Sequence, residues 1–141
     1  MMSFAATTPT WLWIVDGVLL AILLWIFGNW FYYYVKGRII KGGLKPQEFE
    51  KKVHNGQIID LRSKGDFDTA HIMGARNIPY SYFKQYQESI RKDLPVLLYE
   101  RTDQIPIRVA GKLKKNGYQE VYWLKGGFMK WEGNTKKKAS L

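Results

Sequence analysis

A chain of 141 residues has room for one ordinary domain and an appendage, which excludes a second full core. All 22 Lys and Arg lie at or after Lys36 against 11 of the 12 acids, so that portion carries +11 with both His neutral and suits an anionic partner: nucleic acid, a negatively charged lipid surface or an acidic protein. No cysteine occurs, which excludes disulfides, thiolate metal sites and thiol chemistry.

Residues 1–35 carry one charged side chain, Asp16, and the 19 residues from Gly17 to Val35 carry none. That length is close to the roughly 20 residues a helix needs to cross about 30 Å of hydrocarbon. Trp11 and Trp13 at one end and Trp30, Tyr32, Tyr33 and Tyr34 at the other suit headgroup depth. A transmembrane anchor is therefore expected at 1–35. A cleaved signal peptide is not, because the basic residues follow the apolar run. Lys36, Arg38, Lys41 and Lys45 follow it, so the positive-inside bias predicts a single-pass protein of the cell membrane with its C-terminal domain in the cytoplasm. Asp16 and Asn29 fall near the predicted interfaces, where water or headgroups satisfy them. Gly17 and Gly28 lack GxxxG spacing, and no dimer face follows from them.

Residues 36–45, with Gly37, Gly42 and Gly43 among basic residues, are expected to form a flexible juxtamembrane linker. Pro46 opens a predicted helix with Phe49 and Val53 four apart, ended by Asn55-Gly56. Ile58, Ile59 and Leu61 predict a strand, Phe83, Tyr86 and Ile90 a helix, and Pro95 to Tyr99 a second strand. Residues 107–116 predict a helix with Val109, Ala110 and Leu113 on one face. Val121 to Leu124 predict a third strand, and a short helix carries Phe128 and Trp131. This alternation predicts an α/β fold, a parallel sheet flanked by helices over 46–133. Residues 134–141, with Lys136, Lys137 and Lys138, are expected to be a mobile basic tail.

Ile59-Asp60-Leu61-Arg62, then Phe67, then His71-Ile72-Met73-Gly74-Ala75-Arg76-Asn77-Ile78-Pro79 closely resemble the first signature of the rhodanese family, in which a strand ends in Asp-x-Arg before an aromatic and His-Ile-x-Gly-Ala-x-Asn-Ile-Pro. Later landmarks follow in order through Tyr99, Gly117-Tyr118, Val121, Gly126-Gly127-Phe128 and Trp131, so the resemblance runs from about Leu44 to Gly133. It implies a strand, loop and helix unit whose loop amides converge on an anion at a helix N-terminus. In active members a Cys opens that loop and accepts sulfane sulfur as a persulfide.

Aligned without a gap between Tyr99 and Gly117, the resemblance puts Glu100 at the nucleophile's position, Asp103 at the usual Gly and Ile105 at the usual Arg. The altered loop is Glu100, Arg101, Thr102, Asp103, Gln104 and Ile105. A carboxylate cannot hold a sulfane sulfur, so no catalytic residue is assigned. Two states of Glu100 stay open. Its carboxylate folds back onto the loop amides in place of the anion, or Asp103 and Pro106 deform the cradle and leave it solvated.

Asp60, Arg62, His71, Gly74, Asn77 and Pro79 are read as structural members of the family motif. No second His or carboxylate stands at metal-binding spacing to His71, so neither metal nor cofactor is expected. Arg101, Arg108 and Lys112 are candidate recognition residues, with Lys114 and Lys115 on the same basic helix and Tyr122, Trp123 and the tail able to extend that surface. The leading expectation is a membrane-anchored, non-catalytic protein-binding or regulatory module. Two alternatives stand beside it: an enzyme or small-anion sensor built on Glu100, and a module binding anionic lipid. Nucleic acid is not expected, since no binding signature accompanies the charge.

Overall fold

The computed structural model describes residues 8–139, which form two units, one ending at Val35 and one beginning at Lys36. Residues 1–7 of the expected anchor and 140–141 of the expected tail lie outside the described residues. In the first unit, Thr10–Val35 lies within helix α1 (Thr10–Ile39) and is long and apolar enough to cross a membrane.

The second unit is built on a five-stranded, all-parallel sheet in the order β1-β6-β5-β2-β4. Its strands are β1 (Gly43–Leu44), β2 (Gln57–Asp60), β4 (Arg76–Asn77), β5 (Val96–Tyr99) and β6 (Val121–Leu124). Helices α2 (Pro46–Lys52), α3 (Lys64–Thr69), α4 (Phe83–Tyr86) and α5 (Gln104–Lys115) connect them. A separate antiparallel pair joins β3 (His71–Ile72) to β7 (Thr135–Lys136).

The core follows the period of two along each strand. Ile59, Val96, Leu98, Val121 and Trp123 pack on one face with Val109, Ala110 and Leu113 of α5 and with Phe83. Ile58, Leu97, Tyr99 and Leu124 pack on the other with Phe49 of α2 and Ile72. The central strand β5 is fully buried, which is why Pro95 to Tyr99 reads as a continuous apolar run.

Two expectations about the flanks are corrected. Residues 36–45 are not wholly without regular structure, because α1 runs to Ile39 and Gly43–Leu44 pair with Trp123 and Leu124. The glycines there serve close approach: a Cβ on Gly42 would lie 2.5 Å from the Val121 carbonyl oxygen, and one on Gly43 would meet Lys125 and the Trp123 ring. Nor does the tail begin at Asn134, since β7 pairs with β3 and the Lys138 amide donates to the Asp68 carbonyl at 3.0 Å.

Boundaries also shift. Helix α5 starts at Gln104, three residues ahead of the expected 107, because Pro106 falls in its first turn, where a missing N–H costs no helical hydrogen bond. The stretch after Tyr82 gives one turn of α-helix and then a 3-10 turn over Gln87–Ser89. Likewise Phe128–Lys130 is a single 3-10 turn.

Candidate functional site

The site lies outside the C-terminal ends of β2 and β5, where open parallel sheets place their ligand crevices. Strand β2 ends on Asp60, which is fully buried, and Arg62 two residues later is 5% exposed. Arg62 Nε and Nη2 donate to the Asp60 carboxylate, with Nη2 to Oδ2 at 2.7 Å, and Nη2 also donates to the Ala70 carbonyl at 2.7 Å. The guanidinium lies 4.0 Å over the Phe128 ring. Burial works against its charge, and Asp60 more than offsets this, holding Arg62 above its ordinary range.

Asn77 Nδ2 donates to the carbonyls of Asp60 and Arg62, tying β4 to the end of β2. His71 Nδ1 shares a 2.7 Å hydrogen bond with the Phe67 carbonyl and stacks on the Phe67 ring with centroids 3.7 Å apart. Gly74, at φ +86°, turns the chain from β3 into β4, and Pro79 leads into the 3-10 turn Tyr80–Tyr82. All six motif residues therefore hold strand ends and turns.

The loop after Tyr99 is organised by its own acids. Glu100 Oε2 accepts from the amides of Arg101 at 2.5 Å and Thr102 at 3.3 Å, so its carboxylate folds back onto the start of the loop. Asp103 occupies the N-cap of α5, but its side chain makes no capping hydrogen bond. Its Oδ1 reaches across to the Gly126 amide at 2.6 Å. Gly127, buried at φ +73°, lies against the loop backbone, and the Phe128 amide donates to the Glu100 carbonyl at 2.8 Å. Thr102 and Gln104 are exposed, and Ile105 packs against the core.

Arg101 Nη2 pairs with Asp66 Oδ2 at 2.5 Å, and this bond holds the Asp66 carboxyl below its ordinary range. A depressed carboxyl contributes stability above its unfolded pKa that is lost on acidification. Arg108 Nη1 instead donates to the Tyr80 hydroxyl at 3.3 Å, and Lys112 Nζ lies 5.9 Å from the Tyr80 ring centre. The three recognition candidates thus have different neighbours, Arg101 on α3 and the other two on Tyr80. Trp123 is buried and takes no part in a surface, while Lys52 covers Tyr122.

Asp66 and the Gly126-Gly127 support were not singled out as site residues by the sequence. The Ser63-x-x-Asp66 spacing was the available signal for the first, since Ser63 Oγ accepts from the Asp66 amide as the N-cap of α3. Among the described residues no cluster of His, Cys, Asp and Glu could hold a metal ion.

Burial pushes the Asp103 carboxyl up, against the Gly126 amide and Lys125, which pull it down. A raised carboxyl binds its proton more tightly folded than unfolded. Its contribution to stability is greatest in acid and is lost as pH rises through its folded pKa. Asp103→Asn keeps an acceptor for Gly126 without the charge. It is expected to be more stable than the parent at pH 7 in chemical denaturation, an advantage that disappears in acid, where the parent carboxyl is protonated in both the folded and unfolded chain. A loss at pH 7 would show instead that Gly126 requires a charged acceptor.

A family model described as a rhodanese-like domain matches residues 45–134. The chain is 43% identical over 121 residues to the uncharacterised protein YqhL of Bacillus subtilis, covering 83% of this chain and 96% of that one. It is 32% identical over 77 residues to the thiosulfate sulfurtransferase GlpE of Coxiella burnetii, covering 55% of this chain and 72% of that one. Among solved structures, a rhodanese-like domain protein of Staphylococcus aureus matches with a TM-score of 0.62 at 21% identity, covering 70% of this chain and 99% of that one. A rhodanese-like domain from an Anabaena protein matches with a TM-score of 0.54 at 26% identity, covering 61% of this chain and 96% of that one.

Proposed function

Since the chain belongs to the rhodanese-like domain family, we propose that it is a membrane-anchored member that does not transfer sulfur and instead serves as a protein-binding or regulatory module. The observation that carries this reading is the state of the loop. Glu100, which the family pattern sets at the nucleophile's place, accepts hydrogen bonds from the amides of Arg101 and Thr102, and no thiol exists anywhere in the chain. A carboxylate there neutralises the amides' partial positive charge from within, leaving less to attract an outside anion. That weighs against a small-anion sensor at the same amides.

What survives is a rigid frame. The Asp60–Arg62 pair and the Asn77 bridges hold the end of β2, and the Gly127 contact and the Phe128–Glu100 hydrogen bond hold the loop, all without a reacting group. The 26-residue apolar segment Thr10–Val35 supports a single membrane span, and the lysines and arginines after it support a cytoplasmic domain.

The absence of native thiols makes the topology directly testable. A Thr8→Cys chain in intact cells stripped of outer barriers should react with a membrane-impermeant maleimide, whereas Lys137→Cys should react only after lysis. The reverse pattern would place the domain outside, and labelling of both before lysis would contradict a span.

A further inference from the structure

The turn and helix from Tyr80 to Gln87 and the C-terminal half of α5 enclose a groove of about 490 Å³. Tyr80, Lys84 and Gln87 line one wall, and Lys112, Lys115 and Asn116 line the other. Lys112 and Lys115 are three apart and share one face of α5. Arg108, four residues before Lys112, donates to the Tyr80 hydroxyl at the same end. No carboxylate lines the groove. Glu88, next to Gln87 in the chain, lines the neighbouring cleft with Arg91 and Lys92.

Lys84, Lys112 and Lys115 are all exposed, and none has a carboxylate partner among the described residues, whose ion pairs use Asp60, Asp66, Asp68 and Asp93. Three ammonium groups facing one concavity repel one another, and an anionic occupant relieves that repulsion. The lysines come from both walls as separate point charges. The groove has no arginine fork in its lining of the kind that grips a compact phosphate. Spaced ammonium groups with the Gln87 and Asn116 amides in the same lining suit an extended chain bearing spaced carboxylates and a main chain to hydrogen-bond.

We propose that this groove docks an acidic peptide segment of a partner protein, an assignment that rests on the protein-binding reading above and names the chemistry of the partner. The attraction is largely electrostatic, so it speeds association and weakens with salt.

The test uses the full chain in uncharged detergent micelles and a fluorescein-labelled decamer of glutamate, followed by anisotropy. Saturable binding is expected, weakened about tenfold or more by Lys84→Glu/Lys112→Glu/Lys115→Glu. The Lys130→Glu/Lys136→Glu/Lys137→Glu chain makes the same change in net charge at exposed positions elsewhere and should lose less than about threefold. All six side chains are exposed, so both variants should keep the parent's melting temperature. No binding, or equal losses in the two variants, would overturn the proposal. So would displacement of the peptide by millimolar inorganic phosphate, or a larger effect of the groove variant on binding to anionic vesicles than to the peptide. Sulfur transfer by the parent chain would defeat the functional reading and leave a groove-specific peptide result standing, so the two failures are distinguishable.

Discussion

Arg62→Ala should destabilise the domain by about 3–5 kcal/mol, because it strands the Asp60 carboxylate in a fully buried position. The substitution also removes the donor to the Ala70 carbonyl and the guanidinium packed over Phe128. Against a total of about 5–15 kcal/mol for an ordinary domain, such a loss removes a large fraction of the stability. The mechanism has a diagnostic. If the stranded charge is the main penalty, Asp60→Asn/Arg62→Met should recover about 1–2 kcal/mol relative to Arg62→Ala, since no unpaired charge remains in the core. Chemical denaturation of the full chain and both variants in uncharged detergent reads this. A double variant less stable than the single one would mean that the pair's polar contacts, and not the orphaned charge, dominate.

Gly127→Ala is the second large effect, and it acts on the loop itself. A Cβ built on Gly127 falls 2.0 Å from the Arg101 carbonyl oxygen and 2.4 Å from its carbon, so backbone on one side must move. The conformation, φ +73° and ψ −172°, is one that only glycine adopts readily, and a side chain there costs about 1–3 kcal/mol. Overpacking adds about 1–3 kcal/mol, giving an expected loss of about 3 kcal/mol or more. Gly117→Ala separates the two contributions. Gly117 also has positive φ, +91°, but the nearest atom to its Cβ is the mobile Lys92 Nζ at 3.8 Å, so only conformational strain of about 1–2 kcal/mol is expected. Equal losses at the two glycines would remove the argument that Gly127 holds the loop by contact.

The sheet was legible wherever a strand was long enough to show its pattern. Residues 58–61, 95–99 and 121–124 carry enough apolar positions to be recognised, and the helix around Val109, Ala110 and Leu113 declares its buried stripe. Strands β1, β3, β4 and β7 have two residues each, too short for any periodicity, and they exist because tertiary neighbours supply their partners. The same cause explains the misread linker. A glycine pair beside lysines looks flexible locally, yet Gly42 and Gly43 are small so that the chain can lie against Trp123.

In the loop, the identities of Glu100 and Asp103 were readable but their partners were not. Whether a carboxylate bonds amides one and two residues ahead or stays in water depends on backbone angles that residue types do not specify. Asp103 pairs with Gly126, 23 residues away, and the pairing arises only because β6 runs beside β5. Arg101, Arg108 and Lys112 similarly formed one basic group in the sequence, and the fold separates Arg101 by pairing it with Asp66.

The most direct measurement is sulfur transfer by the purified full chain in uncharged detergent, supplied with thiosulfate and cyanide and followed by thiocyanate release, with intact-mass spectrometry of the chain afterwards. Thiocyanate at the level of a protein-free blank and no sulfur adduct on the polypeptide are expected. Turnover that disappears in the Glu100→Ala chain would contradict the proposal that this rhodanese-like domain has exchanged sulfur chemistry for recognition.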